Sequence, residues 1–509
     1  MLSEDGICVA LLFCATFGVG SMSFGSVYAA SGPLLASLAI YFLSACNLHA
    51  SVAVSKALTV VPLTVRSFSD LGYHAYGTLG RRVVLLSEAG VCFLTPIAFL
   101  ILGGTSLLPQ IFDEVFERTR TSNEWIVIMA ASVLPIVLIP TLRGTAPLCL
   151  LGAIVAVLTD AICIIYSLEY LPMTPRETQI QVTQVIPTFG TIMFALGTAI
   201  IIPPIQRQHS DPSRVGNLVS LTLLFITSIY MFIGIITYYQ FGCMAPDTLL
   251  DQLPSGNWRR AASAFMLLHV MIAFPVLLNP TLFDLERYLL GKDSDIEVLQ
   301  QSIALRASKM SAGKPILSNA PSVASLDDDG FLYGSNSPAN SIGVYFQAHS
   351  PTGLGSSSTG SNTPAERNVP DEYAALTFTA RDRLCSALIR VLTIVAQTFL
   401  ALMLQDCFMD ILSLIGATAV TVSCMIMPCL CYLKVYPIPL HLSIGRLDRA
   451  MCYLIIVSST ILGIYCTIVS ANNISMHLSK FELFTPVNVT EANVDDDSQY
   501  PFCHVGERN

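Results

Sequence analysis

Charge is the scarcest thing in this chain. Only 12% of its 509 residues are Asp, Glu, Lys or Arg, against roughly 25% in a soluble domain. Basic residues are outnumbered, 26 to 35, and none gather into a long block, so nucleic acid is not an expected partner. The 15 cysteines show neither CxxC…CxxC nor Cys/His ligand spacing. No metal site follows, and most read as small membrane-helix residues. No nucleophile–base pair stands out, so no catalytic residue, organic cofactor or enzymatic activity is expected. The opening MLSEDG lacks the basic start of a cleavable signal peptide, and the first apolar segment is therefore expected to be a true span.

What abounds is apolar surface: 53% of residues are hydrophobic, with a mean hydropathy of +0.63. Lipid is the expected solvent. A hydrocarbon core of roughly 30 Å takes about 20 apolar residues as a helix. On that ruler eleven spans are expected, at 6–31, 33–55, 83–107, 124–142, 146–168, 185–205, 216–241, 259–283, 384–404, 408–434 and 450–470. Ser31-Gly32-Pro33 forms the turn between the first two. Lys and Arg number ten in one set of short loops and five in the other, which predicts a cytosolic N-terminus. An odd number of spans then places the C-terminus outside. Asn488-Val489-Thr490 is a glycosylation acceptor that fits this side. Cys243 and Cys503 would both face the oxidising compartment and are candidates for a disulfide, with Cys407 as a competing partner.

Four regions result: helices one to eight over 1–289, a loop over 290–380, helices nine to eleven over 381–471, and a luminal or extracellular tail over 472–509. The loop is rich in Ser, Gly, Asn and Pro, as in SNAPSVASLDDDG and SPTGLGSSSTGSNTP. Such a composition does not bury a core, so a disordered cytosolic segment is expected. It is either a site for cytosolic regulators or an inert linker.

Two spans are interrupted in matching places. The first contains GVGSMSFGSVYAASGP, with Gly18, Gly20 and Gly25. The sixth contains FGTIMFALGTAIIIPPIQ, with Gly190, Gly197 and Pro203-Pro204. They open two five-span halves, and paired interruptions of this kind point to a transporter site near the bilayer midplane. A break exposes N–H groups on one side and C=O groups on the other, which lipid does not solvate. A carboxylate suits the first and an ammonium the second. The backbone of an amino acid carries both. The competing explanation is that these glycines serve close helix packing.

Several segments then resemble the amino acid/auxin permease family, and among its members the plant lysine–histidine-type permeases. GVGSMSFGSVYAASG is similar to the family's opening helix, GxGxLxLPYAxxxxG. SDLGYHAYG, ILGGTSL, FGTIMFALGTAIIIPPIQRQHSDPSR, ITYYQFG, HVMIAFPVLLNPTLFDLER and DILSLIGATAVTVSCMIMPCLCYLK resemble later family segments in the same order. The resemblance covers nearly the whole chain outside 290–380 and the tail. It implies an all-α membrane fold of the leucine-transporter type: a 5+5 inverted repeat plus one helix, and ion-coupled amino acid transport. The chain departs from the family at Phe24-Gly25-Ser26, where Leu-Pro-Tyr is usual, at Gly197-Thr198, and at Phe99, where a Tyr hydroxyl is missing.

Three ionisable residues fall inside spans: Glu88, Asp160 and His269. Glu88 lies near an inner end and is expected to snorkel. His269 is read as a packing histidine or a second coupling candidate. Asp160 has no basic residue four positions away and is the first candidate for coupling. The expected function is secondary-active amino acid transport, coupled to protons or sodium. The carboxylate would dock on N–H groups of Gly18, Val19, Gly20, Ser21 and Met22. The ammonium would meet carbonyls of Phe194, Ala195, Leu196, Gly197 and Thr198, and Phe99 would wall the pocket. An amino acid sensor of the same fold, signalling through 290–380, is the alternative, and a channel is a third reading. The plasma membrane and an endolysosomal or vacuolar membrane are both open.

Overall fold

The first helix carries its own start signal. Ser3 accepts a hydrogen bond from the Gly6 N–H at 3.2 Å, and Glu4 and Asp5 occupy the first turn, where the helix dipole favours negative charge. This helix, α1, runs Glu4–Thr16 and stops. A 3₁₀ turn at Val19–Ser23 leads into α2, Phe24–Val60. The computed structural model describes residues 3–62, 65, 67–112, 120–138, 145–173, 176–290, 380–436, 445–479 and 502–503. The expected loop over 291–379 and the Asn488 acceptor lie outside them.

α2 bends at Gly32, whose φ of 69° is a left-handed conformation that other residues adopt only with strain. Pro33 follows and offers no N–H to continue the ladder. α3, Phe68–Leu102, starts with a capping box: Ser67 and Asp70 bond each other's backbone N–H groups at 3.1 and 3.0 Å. Its first two turns are set off by Gly77 at φ 63°. A π-helical turn at Gly103–Leu107 joins it to α4, Leu108–Phe112. Then come α5, Ser122–Val137, and α6, Thr145–Tyr170.

The sixth expected span is divided into α7, Val182–Ala195, and α8, Ile202–Gln208, with Pro203 and Pro204 in α8's first turn, where a missing N–H costs nothing. α9 spans Val215–Phe241 and α10 Asn257–Leu289. Beyond residues 291–379 come α11, Ala380–Met403, and α12, Phe408–Ile415. Two π-helical stretches, Gly416–Val420 and Val422–Ile426, carry α12 into α13, Met427–Val435, and α14 covers Arg446–Ser479.

Among the described residues, nine helical segments are long and apolar enough to cross a membrane. The difference from the eleven expected has a physical reason. The first expected span is split, so its opening half, α1, is only 13 residues long. The other half continues through the Gly32 bend into the second, giving one stretch of 42 residues, Val19–Val60. The fourth expected span, α5, has 16 residues.

Polar clasps tie the helices at several levels. Arg390 and Glu286 form a buried ion pair at 2.7 Å, and Arg390 also donates to Asn279 and the Val137 carbonyl, each at 2.7 Å. One side chain thus joins α11 to α10 and α5. At the start of α9, His209 and Arg214 hold Asp5 at 3.1 and 2.7 Å. Ser210 bonds Glu4, which holds that carboxyl below its usual range. At the far end of α9, Cys243 and Cys503 are joined by a disulfide with Cα atoms 5.1 Å apart. There Cys243 N–H donates to Arg176 O at 3.1 Å and Gln179 N–H to Phe502 O at 2.9 Å.

Candidate substrate site at two helix breaks

The two interruptions meet. A Cβ built on Gly20 would lie 2.8 Å from the Ala195 Cβ and 2.9 Å from its Cα. Only glycine lets the chain after α1 approach the end of α7 this closely. Thr16, the last residue of α1, shares a 2.9 Å hydrogen bond with the Thr198 hydroxyl from the second break. The Tyr230 hydroxyl on α9 lies between them and donates to Thr16 O at 3.0 Å and Ala195 O at 3.2 Å. One proton is thus shared by the last carbonyls of two half-helices. Asn47 on α2 donates to Leu196 O at 2.7 Å. An aromatic column supports the junction: Phe17 and Phe24 stack on Tyr230 with centroids 5.6 and 4.4 Å away.

The break in the first span lies at Phe17-Gly18, where both residues are extended. The first bond of the new turn runs from Ser21 N–H to Gly18 O at 2.9 Å. The N–H groups of Gly18, Val19 and Gly20 therefore precede the ladder, as at any helical start. Val19, Gly20, Ser21 and Met22 are all buried in this turn. In the second break, Gly197 faces Val420 on the π-helical stretch: a Cβ built on Gly197 would lie 3.2 Å from the Val420 Cγ1. Phe194 and Thr198 flank that glycine. Gly25 and Gly190 have a different role. Gly25 sits inside α2 against Thr237, and Gly190 sits inside α7 against the backbone of Ser413. Both are packing glycines within continuous helix.

The two coupling candidates both reach the first break. His269 Nδ1 donates to Gly152 O at 2.9 Å, since a carbonyl only accepts. In the neutral ring that leaves Nε2 as an acceptor, and Nε2 lies 2.6 Å from where a Gly18 Cβ would stand. Asp160 on α6 is 5% exposed. It faces Ser21, but the Ser21 hydroxyl is turned to Gly18 O at 2.9 Å. Both Asp160 oxygens are left without a hydrogen-bond partner. Glu88 is 4% exposed, so it is buried rather than snorkelling. The Phe99 ring packs against Phe274 at 6.4 Å.

Sequence reasoning missed Tyr230, Asn47 and Thr16. Each is a polar residue in an apolar span, which was the available signal. Their partners are remote in the chain: those of Tyr230 lie 214 and 35 positions away.

The fold and this junction define a polytopic α-helical membrane protein whose buried polar centre is built from two interrupted helices. Comparison narrows the class. Residues 6–471 match the family described as transmembrane amino acid transporter protein, and the chain belongs to that family. It is similar to the Arabidopsis thaliana amino acid transporters AVT3B, 25% identical over 55% of this chain and 70% of the relative, and AVT3C, 24% identical over 56% and 71%. It is also similar to human solute carrier family 38 member 10, 22% identical over 52% of this chain and 24% of that protein. Among solved structures it resembles a manganese transporter of Eremococcus coleocola, with 11% identity, coverage of 94% and 92%, and a TM-score of 0.47.

Proposed function

We propose that the protein is a secondary-active amino acid transporter that holds its zwitterionic substrate where the two breaks meet. The observation that carries this reading is the contact of Gly20 with Ala195, reinforced by the Thr16–Thr198 bond. The substrate carboxylate docks on the turn from Gly18 to Met22, where the N–H groups of Gly18, Val19 and Gly20 precede the first helical bond, made by Ser21. The ammonium takes carbonyls of Phe194 to Thr198. Tyr230 and Asn47 already donate to two of these, so a bound ammonium shares or replaces their bonds. Movement of α1 and α8 around this junction then alternates access.

Asp160 is the coupling acid in this reading, with His269 second, and the ion is a proton or sodium. Eleven spans, arranged as a 5+5 inverted repeat plus one, account for the helices when α1 with the start of α2, and α5, each count as a span. The N-terminus is then cytosolic and the Cys243–Cys503 bridge lies on the oxidising side. Asn488→Gln should remove a glycan mass shift in a eukaryotic host. The membrane is the plasma membrane or an endolysosomal or vacuolar one.

Purified protein in liposomes, given labelled amino acids under separate pH and sodium gradients, tests the proposal. Saturable, gradient-driven accumulation is expected. Binding without net uptake would overturn it in favour of sensing.

A further inference from the structure

A cavity of about 220 Å³ lies between α3, α11, α12 and α14, away from the breaks. Ile97 on α3, Leu400 and Leu404 on α11, Ile411 and Leu414 on α12 and Ile474 on α14 line it, and every lining side chain is Leu, Ile or Met. Such a space gives water no partner but admits apolar molecules. It opens toward the hydrocarbon: next to it in the chain, Phe399 on α11 and Met476 on α14 are 55% and 59% exposed. It stands at one edge of the bundle, where α11 and α14 end and α12 begins.

That edge is polar. Asp410 accepts from the Asn473 amide at 2.9 Å, and these two residues directly precede Ile411 and Ile474 of the lining. Asp406, before α12, and His477, one turn beyond Asn473, are both exposed. Gln405 follows Leu404 of the lining, and its Oε1 is buried without a hydrogen-bond partner. A lipid tail is as apolar as leucine, so packing and the headgroup, not hydrophobicity, decide which molecule stays. We propose that one acyl chain of an ethanolamine phospholipid fills the cavity, with its ammonium on the edge formed by Gln405, Asp406 and Asp410. The ammonium donates to Gln405 Oε1 and to the carboxylates, and the phosphate faces the His477 imidazole. A choline headgroup carries the same charge but has no N–H to donate.

Ile411, Leu414 and Ile415 share one face of α12. Ser413 lies on the opposite face and donates to Pro187 O on α7 at 2.7 Å. The tail therefore backs the helix on which α7 packs, and α7 ends at the second break. Without the tail that face of α12 loses its contacts. If the transport reading holds, uptake should be slower in liposomes of phosphatidylcholine alone than in liposomes that also contain phosphatidylethanolamine.

The test uses the full-length protein in detergent, mixed with equal amounts of phosphatidylethanolamine and phosphatidylcholine and weighed intact by mass spectrometry. One bound ethanolamine lipid is expected, preferred about tenfold, the worth of one hydrogen bond to a charged group. Leu400→Trp, which fills the cavity from a partly exposed position, should lose that lipid. Gln405→Leu combined with Asp406→Asn should keep a bound lipid and bring the preference close to equality. Phosphatidylethanolamine with a photoreactive group in its tail should label the unmutated protein on α3, α11, α12 and α14. Equal retention of the two lipids by the unmutated protein overturns the proposal, as do labels confined to other helices or full retention by Leu400→Trp. These readouts need no substrate, so they stand whatever the uptake assay gives.

Discussion

Replacing Tyr230 with phenylalanine removes one hydroxyl and leaves the ring. The ring should stay where it is, since its stacking on Phe24 at 4.4 Å and Phe17 at 5.6 Å does not use the oxygen. Two buried carbonyls, Thr16 O and Ala195 O, then lose a shared donor. Leaving a buried polar group unpaired costs about 1–3 kcal/mol. One proton served both acceptors, so the loss is one bond's worth rather than two. A coupling of about 1–3 kcal/mol corresponds to roughly 5- to 150-fold in an equilibrium. The conformation in which the breaks are joined should therefore become less populated by that factor. Two measurements report it: thermal unfolding in detergent, and the amino acid concentration giving half-maximal uptake. Tyr238→Phe is the control, because its hydroxyl accepts from Thr178, at 3.2 Å in a partly buried position away from the junction. Tyr230→Phe should shift both measurements and Tyr238→Phe neither. If Tyr230→Phe matches the unmutated protein in both, the hydroxyl is not what joins the breaks.

The remaining predictions concern separate regions. Asp160→Asn keeps the shape of a protonated acid, so it should retain substrate exchange and lose accumulation driven by a pH gradient; undiminished pH-driven uptake would transfer the coupling role to His269 or a sodium site. Gly20→Leu should abolish binding, because its side chain would occupy the space of Ala195; normal binding by a folded variant would mean the site lies elsewhere. Arg390→Met leaves Glu286 buried without its cation and should cost about 3–5 kcal/mol, read as a lowered unfolding temperature, while Arg390→Met with Glu286→Leu should cost less. Asp247, in the loop after α9, has its carboxyl raised by desolvation and then by Asp251, although its surface is exposed. The folded protein thus binds the extra proton between the ordinary and the raised value, and stability should fall as pH rises through that window. Asp247→Asn should flatten this dependence in a thermal-unfolding pH series.

The breaks could be read in the sequence because glycine and proline mark the backbone wherever they fall. Gly18 and Pro203-Pro204 do sit at interruptions. Gly25 and Gly190 look the same in sequence, yet lie within regular helix. A glycine needed for a break and one needed for close packing differ only in what stands opposite, and Thr237 and Ser413 are far away in the chain. Glu88 failed for a related reason. Its distance from the end of its span suggested water, but packing by neighbouring helices decided its burial. The π-helical stretches of 416–426 have no compositional mark that separates them from ordinary helix. Tyr230 and Asn47 were visible as polar residues in apolar spans, but nothing local to either indicated a carbonyl partner.

The Cys243–Cys503 bond has a topological consequence. The two cysteines are 260 positions apart, and α10 through α14 lie between them, as does the whole 291–379 segment. Cutting the chain once anywhere in that interval yields two polypeptide ends but not two molecules. A protease acting on 291–379 would leave α1–α10 covalently attached to α11–α14 through the bond at the far end of α9. On a reducing gel such a nicked protein would run as two pieces, and on a non-reducing gel as one. Damage in that segment therefore need not separate the helices that build the junction.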